Sequence, residues 1–538
     1  MAKAETPVAA GEGTMRESSA GLAERYGAAY PWLVAITTLS AFATAVLTSS
    51  IVNVAVPDVM GAFGVGQDRV QFIATAFFAT MTASLLLSPW AVARFGPRLT
   101  FSVSLAFFTL GALMCTFSAS LPAIIVGRVV QGFASGILQP LVMVSLVQAF
   151  PPERRGLAMG LFSMGIVCAH GVGPYFGGLT IDHFNWRLIF LVPLPVVFFA
   201  FAMGLIFLPR RASGSAGPRI LFDFRGFGLL CIALFSVMTA IANGQRDGWV
   251  SDGILMLLLI AVISGGGFVA SQLRRGAGML DLTLFRNIPF SAAICVAFVY
   301  GLSNFAGVYL YPVFGQLVQD YTPTAAGFLI LPGTLFAALI LPLTGRFADI
   351  APPQFGIALG VSLFAASNLV LAGADISTMF PVVAFLIFVG RVGLAFMTPA
   401  MTSAALGALP PEKLSQGAAI VNFTMLGGGA LGINGLVVIL DRRTQFHGDA
   451  LTATQTSANP ATRELLASVA RLLGEEGFAE ALRPSVALNY LGEVLHAQAN
   501  TFGFQDGFTA IAIVAMLGLA PAAVLHLNAR TGKRPHTQ

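Results

Sequence analysis

Charge is what this sequence has least of. Asp, Glu, Lys and Arg make up 10% of its 538 residues, where a soluble domain carries roughly 25%. The apolar stretches hold no HExxH, no paired carboxylates, no nucleophile elbow and no P-loop. An enzyme is therefore not expected, and neither is ATP hydrolysis by this chain. Only four cysteines occur, Cys115, Cys168, Cys231 and Cys295. All four sit in apolar runs at spacings that match no metal motif, so no metal and no cofactor is expected and they read as packing residues. The net charge of +5 comes without a basic cluster, which excludes nucleic acid as a partner. The opening residues mix both signs and lack an apolar run. They read as a cytoplasmic tail over 1–30, not as a signal peptide.

What the sequence has in abundance is hydrophobicity. Apolar residues make up 56% of the chain, and the mean hydropathy is +0.81. A bilayer core needs about 20 apolar residues per helix, with a range of ~17–25. Runs of that kind fall near 32–55, 70–93, 99–119, 121–149, 157–180, 188–208, 227–243, 253–272, 289–313, 325–348, 354–373, 379–409, 417–440 and 508–528. Fourteen spans put both termini on one side. Lys and Arg decide which side. Sixteen lie in the loops and carboxyl tail on the amino-terminal side, and three lie in the short loops opposite. Both termini, including the short tail 529–538, are expected in the cytoplasm. One opposite-side loop is long, about 441–505. Within it Leu466, Val469 and Leu473, and then Leu488, Leu491 and Leu495, recur at helical spacing between charges. Amphipathic external helices, covering the exit side or docking a partner, and a plain solvated loop both fit that pattern.

The chain also repeats itself. "IIVGRVVQGFASGILQP" from Ile124 is echoed by "IFVGRVGLAFMTP" from Ile387, and each is followed by Pro-Pro-Glu with a basic residue. Pro140 to Pro151 is eleven residues, as is Pro399 to Pro410. A second echo pairs "PWAVARFG" (89–96) with "TGRFADIA" (344–351). The Pro-Pro-Glu motifs stand 259 residues apart, more than six helices need, so an extra helix pair lies between the halves. The expected organisation is a six-helix half over 31–208, an inserted pair with its loops over 209–288, and a second six-helix half over 289–528 that includes the loop 441–505. Repeated halves place a substrate site at their interface near the bilayer midplane.

Several short patterns point the same way. "GRVVQGFASGILQP" puts Arg128, Gln131, Ser135 and Gln139 on one polar stripe of the fourth span. Gly132 and Gly136 give that span a GxxxG face where another helix can approach closely. "GVGPYFGG" (171–178) gives the fifth span a flat face of Ala169, Gly173 and Gly177, with Gly178 beyond it, and Pro174 can kink the helix. With "SSIVNVAVP" (49–57), "NWRLIFLVPLP" (185–195) and "GRFADIAP" (345–352), in this order and spacing, the sequence resembles the major facilitator superfamily. Within it, the likeness is to the fourteen-helix drug:proton antiporter family of the EmrB/QacA type, over residues 31 to about 530.

The resemblance implies an all-α integral membrane protein with the major facilitator fold, and secondary-active, proton-coupled export of drug-like amphiphiles. It implies a bacterial inner-membrane location and a role in drug resistance. Implied partners are a small-molecule substrate, membrane lipid, and a periplasmic adaptor protein with an outer-membrane channel. It associates Arg128 with proton transfer. It associates Arg94, Arg98, Arg346 and Asp349 with a loop latch on the cytoplasmic side. The chain departs from the pattern in four places. Pro89 and Ala93 stand where the first latch copy has glycine and aspartate, Thr48 where an acidic residue is usual, and His170 where proline is usual.

No Asp or Glu falls in the middle of any span. The central ionisable groups are Arg128, His170 and Arg391. Arginine does not release its proton, whereas histidine titrates near neutrality, so His170 is the in-membrane coupling candidate. Thr48, Asn53, Gln131 and Arg391 complete the set of substrate and coupling candidates. A cavity with arginines and no carboxylate favours anionic or neutral amphiphiles over lipophilic cations. Phe78, Tyr300, Phe305 and Tyr309 are candidate contacts for flat apolar cargo. Export of one specific organic anion or metabolite, not necessarily coupled to protons, is the alternative function.

Overall fold

The spans form helices because lipid offers no partner to a backbone N–H or C=O. The computed structural model describes residues 19–151, 154–210, 222–275 and 279–531. The first part of the tail 1–30, most of the loop 209–226, Pro152 and Glu153 of the first Pro-Pro-Glu motif, and the residues past 531 lie outside the described residues. No strand occurs among the described residues.

In chain order the main helices are α1 (Tyr30–Ile51), α2 (Phe72–Leu85), α3 (Ser88–Phe95), α4 (Pro97–Thr116), α5 (Leu121–Ala149), α6 (Arg155–His183) and α7 (Leu194–Phe207). Next come α8 (Phe224–Asp247) and α9 (Asp252–Arg275). The remainder are α10 (Ile288–Leu317), α11 (Leu331–Ile350), α12 (Pro353–Leu371), α13 (Phe380–Gly407), α14 (Leu414–Ala453), α15 (Pro460–Glu475), α16 (Arg483–Met516) and α17 (Leu519–Thr531). Thirteen helical stretches are long and apolar enough to cross a membrane, and a broken pair, 67–85 with 88–95, makes a fourteenth. The count agrees with the fourteen expected spans.

That pair bends by 55°. Pro89 explains the bend: its ring clashes with the carbonyl four residues back, at Leu85, where α2 ends. The Ser88 hydroxyl then donates to the carbonyl of Ile137 at 2.7 Å and fixes the bend against α5.

Helices α1 to α7 pack as one group and α10 to α17 as another. The two groups meet along two seams, α6 against α11 and α2 against α14. The pair α8–α9 packs on itself, and α8 leans on α14 and α2. Asp223 caps α8 through the Gly226 N–H at 2.9 Å and accepts from Ser271 of α9 at 2.8 Å. Asn434 of α14 donates to the Met238 carbonyl of α8 at 2.7 Å.

The stretch 441–505 is largely helical. Helix α14 runs past the expected end of its span to Ala453, and α16 begins at Arg483 and enters its span without a break. The segment holding Leu488, Leu491 and Leu495 is thus an extension of a spanning helix and not a separate one. Nothing between Ala499 and Phe508 breaks it, because Gly503 and Gly507 pack against Thr444 and Leu440 of α14. Leu466, Val469 and Leu473 lie on α15, which packs against α16. At the base of this hairpin Asp506 accepts from Arg443, and from His447 at 2.7 Å.

Candidate functional site

The two groups of helices are fastened together at one face. Asn53, buried just after α1, donates through Nδ2 to the Val308 carbonyl of α10 at 3.4 Å. Gln67 donates to the Tyr309 hydroxyl at 3.0 Å, and Gln316 donates to the Val54 carbonyl at 2.9 Å. The Thr324 N–H donates to Asp182 at 2.9 Å. Glycines make this closure tight. A methyl group on Gly178 would overlap the Pro323 carbonyl, and one on Gly327 would overlap that of Pro174. Small residues let these backbones touch directly. This face carries the hairpin and the short loops poor in Lys and Arg.

Below the fastening lies a cavity of about 170 Å³ walled by both halves. It runs from His170 and Arg391 toward Met143, Met159, Leu406 and Ala418. Its wall is mostly apolar, with Phe162, Tyr300, Phe305, Met401 and Met425. Asn304, Thr334, Thr398 and Asn422 supply polar points. Among the described residues no carboxylate lines it.

The repeated arginines have different surroundings. Arg128 is fully buried. Its Nε donates to the Ile73 carbonyl of α2 at 2.9 Å. Its Nη1 reaches the Thr48 carbonyl of α1 at 3.2 Å and Gln131 Oε1 at 3.1 Å. The guanidinium lies over the Phe77 ring, 4.2 Å from its centroid. A central charge costs ~2.5–3.5 kcal/mol on insertion scales. Hydrogen bonds of a charged donor return ~1.5–3 kcal/mol each, so three acceptors offset the burial even though Nη2 is left without a partner. Arg128 does not line the cavity; it ties α5 to α1 and α2. Thr48 takes part through its carbonyl.

Arg391 lines the cavity and has one acceptor, Asn304 Oδ1, 2.9 Å from its Nη1. Its Nε and Nη2 are buried without a partner. Each unpartnered donor costs ~1–3 kcal/mol. Asn304 fills for Nη1 of Arg391 the place that Gln131 fills for Arg128, and what Arg391 lacks is a counterpart of the Ile73 carbonyl that meets Nε of Arg128.

His170 also lines the cavity. Its Nδ1 lies 3.1 Å from the Ile166 carbonyl, and its Nε2 has no partner among the described residues. Its ring meets Phe305 edge-on at 5.5 Å. Of the aromatic candidates, Tyr300 and Phe305 face the cavity and Phe78 packs against Phe305 at 4.7 Å. Tyr309 sits in the closed face instead.

The structure gives the glycine faces separate partners. Gly132 and Gly136 lie against Phe77, Met81 and Ser84 of the bent second span. Gly173 and Gly177 lie against Ser50 and Ile51 of α1. Pro174 sits inside the continuous helix α6, and its carbonyl meets Gly327 of the other half. The polar stripe ends at Gln139, which donates to Asn422 of the other half at 3.2 Å. Arg98 donates through Nε to the Leu208 carbonyl at the end of α7, at 2.7 Å, within its own half. Arg94 closes α3, and Arg346 and Asp349 are exposed near the end of α11.

Gln67, Gln316, Tyr309, Asp182 and Thr324 were not legible as closing residues. They lie at span ends outside the repeated motifs. Gln67 and Asp182 are polar residues shortly after the "SSIVNVAVP" and "GVGPYFGG" segments, and Tyr309, Gln316 and Thr324 carry no such signal.

Two repeated six-helix halves around a cavity sealed at one face are the architecture of a secondary transporter. The sequence profile of the Major Facilitator Superfamily matches residues 32–433. The chain belongs to that superfamily. It is 27% identical over 430 residues to the uncharacterized MFS-type transporter YhcA of Bacillus subtilis (strain 168), covering 80% of each chain. It is 29% identical over 422 residues to the multidrug export protein EmrB of Escherichia coli (strain K12), covering 77% of this chain and 81% of that one. Its fold is similar to that of a bacterial homologue of the human lysosomal transporter Spinster, solved inward-facing and unoccupied. That likeness has a TM-score of 0.60 at 13% identity over 95% of this chain and 100% of the other.

Proposed function

We propose that this chain exports amphiphilic, drug-like compounds by alternating access, driven by protons. The observation that carries the reading is the cavity, walled by both halves and fastened at the hairpin-bearing face. With Lys and Arg concentrated around the opposite loops, that face points outward, and the cavity faces the cytoplasm. Apolar, aromatic and methionine walls suit varied apolar cargo. The name of the similar EmrB protein, a multidrug export protein, supports export as the direction.

In this reading the protein is a carrier and not an enzyme. It sits in the bacterial inner membrane with both termini in the cytoplasm. The halves are 31–208 and 289–528, with 209–288 inserted between them. The hairpin 441–505 faces outward, where a periplasmic adaptor leading to an outer-membrane channel would meet it. The coupling site is His170, since it borders the cavity and its imidazole, unlike the guanidinium of Arg391, can release and regain a proton. Arg128 and Gln131 hold the first half together. Asn53 and the glycines Gly178 and Gly327 close the outer face, and Arg94, Arg98, Arg346 and Asp349 belong to the inner one.

The test is export from a bacterial host stripped of its own pumps. Cells expressing the chain should accumulate less of at least one fluorescent amphiphile than control cells, and a protonophore should abolish the difference. Equal accumulation across a broad panel would overturn the reading.

A further inference from the structure

From the bonding of Arg391 we infer that the cavity holds a carboxylate-recognition site, selecting amphiphilic acids over neutral or cationic compounds of the same shape. This rests on the proposed export function and names its substrate class. A guanidinium presents its donors in a planar fork, and one edge of that fork, Nε–H with the parallel Nη2–H, matches the two oxygens of a carboxylate. In Arg391 the other nitrogen is taken: Nη1 donates to Asn304 Oδ1 at 2.9 Å. Both donors of the matching edge are unpartnered and buried. Asn304 thus fixes the guanidinium while leaving the carboxylate-binding edge unused.

The surroundings support an anion and oppose a cation. His170, with an unpartnered Nε2, borders the same cavity. No carboxylate lines the cavity among the described residues, so nothing there neutralises Arg391 or attracts an amine. The guanidinium lies over the Tyr311 ring, 5.7 Å from its centroid, and the Tyr311 hydroxyl donates to Asn368 Oδ1 at 3.1 Å. The duplicated Arg128 serves as an internal control. There Nε and Nη1 are met by Gln131 and two backbone carbonyls, only Nη2 is left without a partner, and the residue stays out of the cavity wall. The same motif therefore yields a structural tie in one half and an underused donor edge beside the cavity in the other. The apolar part of the ligand lies along Phe162, Phe305 and Met425. A bound carboxylate would supply the acceptors that Nε and Nη2 lack.

The experiment uses the purified full chain in phosphatidylcholine nanodiscs, so that no anionic headgroup competes. The probes are three naphthalene compounds of one shape: a propionic acid, its primary amide and the matching amine. At pH 7.5 the acid should bind at least tenfold more tightly than the amide, and the amine most weakly. Arg391→Gln should bring the acid down to the level of the amide and leave the amide unchanged. Arg391→Lys should recover only part of the preference. Equal binding of acid and amide by the unmodified chain, which needs no variant, overturns the inference, as does an Arg391→Gln loss shared by both. Transport of the same compounds in proteoliposomes is read separately. Tight acid binding without transport of any of the three would overturn the export reading and leave the site standing. Transport of the amide or amine without preference for the acid would do the reverse.

Discussion

The outer closure gives the sharpest perturbation, because backbone meets backbone there. A methyl group on Gly178 would overlap the Pro323 carbonyl and stand 2.6 Å from Thr324 Cα. One on Gly327 would stand 2.6 Å from the Pro174 carbonyl carbon and 2.8 Å from the Tyr175 nitrogen. No flexible side chain can turn away, so the helices must separate. Overpacking of this kind costs ~1–3 kcal/mol. The cost falls only on the state in which the outer face is shut, and such a bias shifts a two-state equilibrium by roughly 5- to 150-fold. Gly178→Ala should therefore populate a form open at the outer face and slow export, and Gly178→Val should do so more strongly. The assay is a pair of spin labels at Ala62, exposed near the end of the helix Val56–Phe63, and Ile376, exposed in the loop after α12, in opposite halves at that face and in a cysteine-free background. The expected result is a longer inter-label distance in Gly178→Ala than in the parent. An unchanged distance with unchanged export would refute the idea that this glycine contact closes the carrier.

The other expectations concern single side chains. Arg128→Ala should abolish export and lower the melting temperature of the purified protein, since breaking a buried charged network costs ~3–5 kcal/mol; Arg128→Lys should recover only part, and parental melting and export in the alanine variant would remove Arg128 from the account. His170→Ala should lose uphill export under an imposed pH gradient while downhill equilibration continues; retained uphill export would move coupling elsewhere. Hydrogen bonds from Thr283, and then Lys413 at 2.9 Å, hold the Asp281 carboxyl below the usual carboxylate range. A lowered folded pKa stabilises above the unfolded value of ~3.9 and is lost as pH falls through it. Asp281→Asn should therefore destabilise at pH 7 by no more than ~1 kcal/mol, given the exposed lysine, with the difference narrowing below about pH 4; a constant difference from pH 7 down to 3 would contradict this.

The fold was legible because each span must satisfy its own backbone, which forces long apolar runs, and because the Val-Gly-Arg-Val and Pro-Pro-Glu repeats mark the halves. Hydropathy alone does not see a break inside a span, so the bend before Pro89 was hidden within the run 70–93. It also ends a helix where charge begins, although α14 continues through Asp441 and Arg442 to Ala453 because water as well as lipid accepts a helix. The candidate set mixed residues of different roles. His170 and Arg391 meet at the cavity, Asn53 joins the outer closure, and Arg128, Gln131 and Thr48 form a tie behind it. Separating them required contacts across the fold, such as Ile73 to Arg128, that sequence spacing does not contain.

Export driven by protons through a cavity shared by two halves is tested most directly in proteoliposomes. Purified protein is reconstituted, a pH gradient is imposed, and the movement of a fluorescent amphiphilic acid is followed against protein-free vesicles. The account predicts accumulation of the acid against its own gradient, on the side from which protons leave, collapse of that accumulation when a protonophore is added, and its loss in Gly178→Val. Movement at the protein-free rate, or uphill accumulation that survives the protonophore, would contradict it.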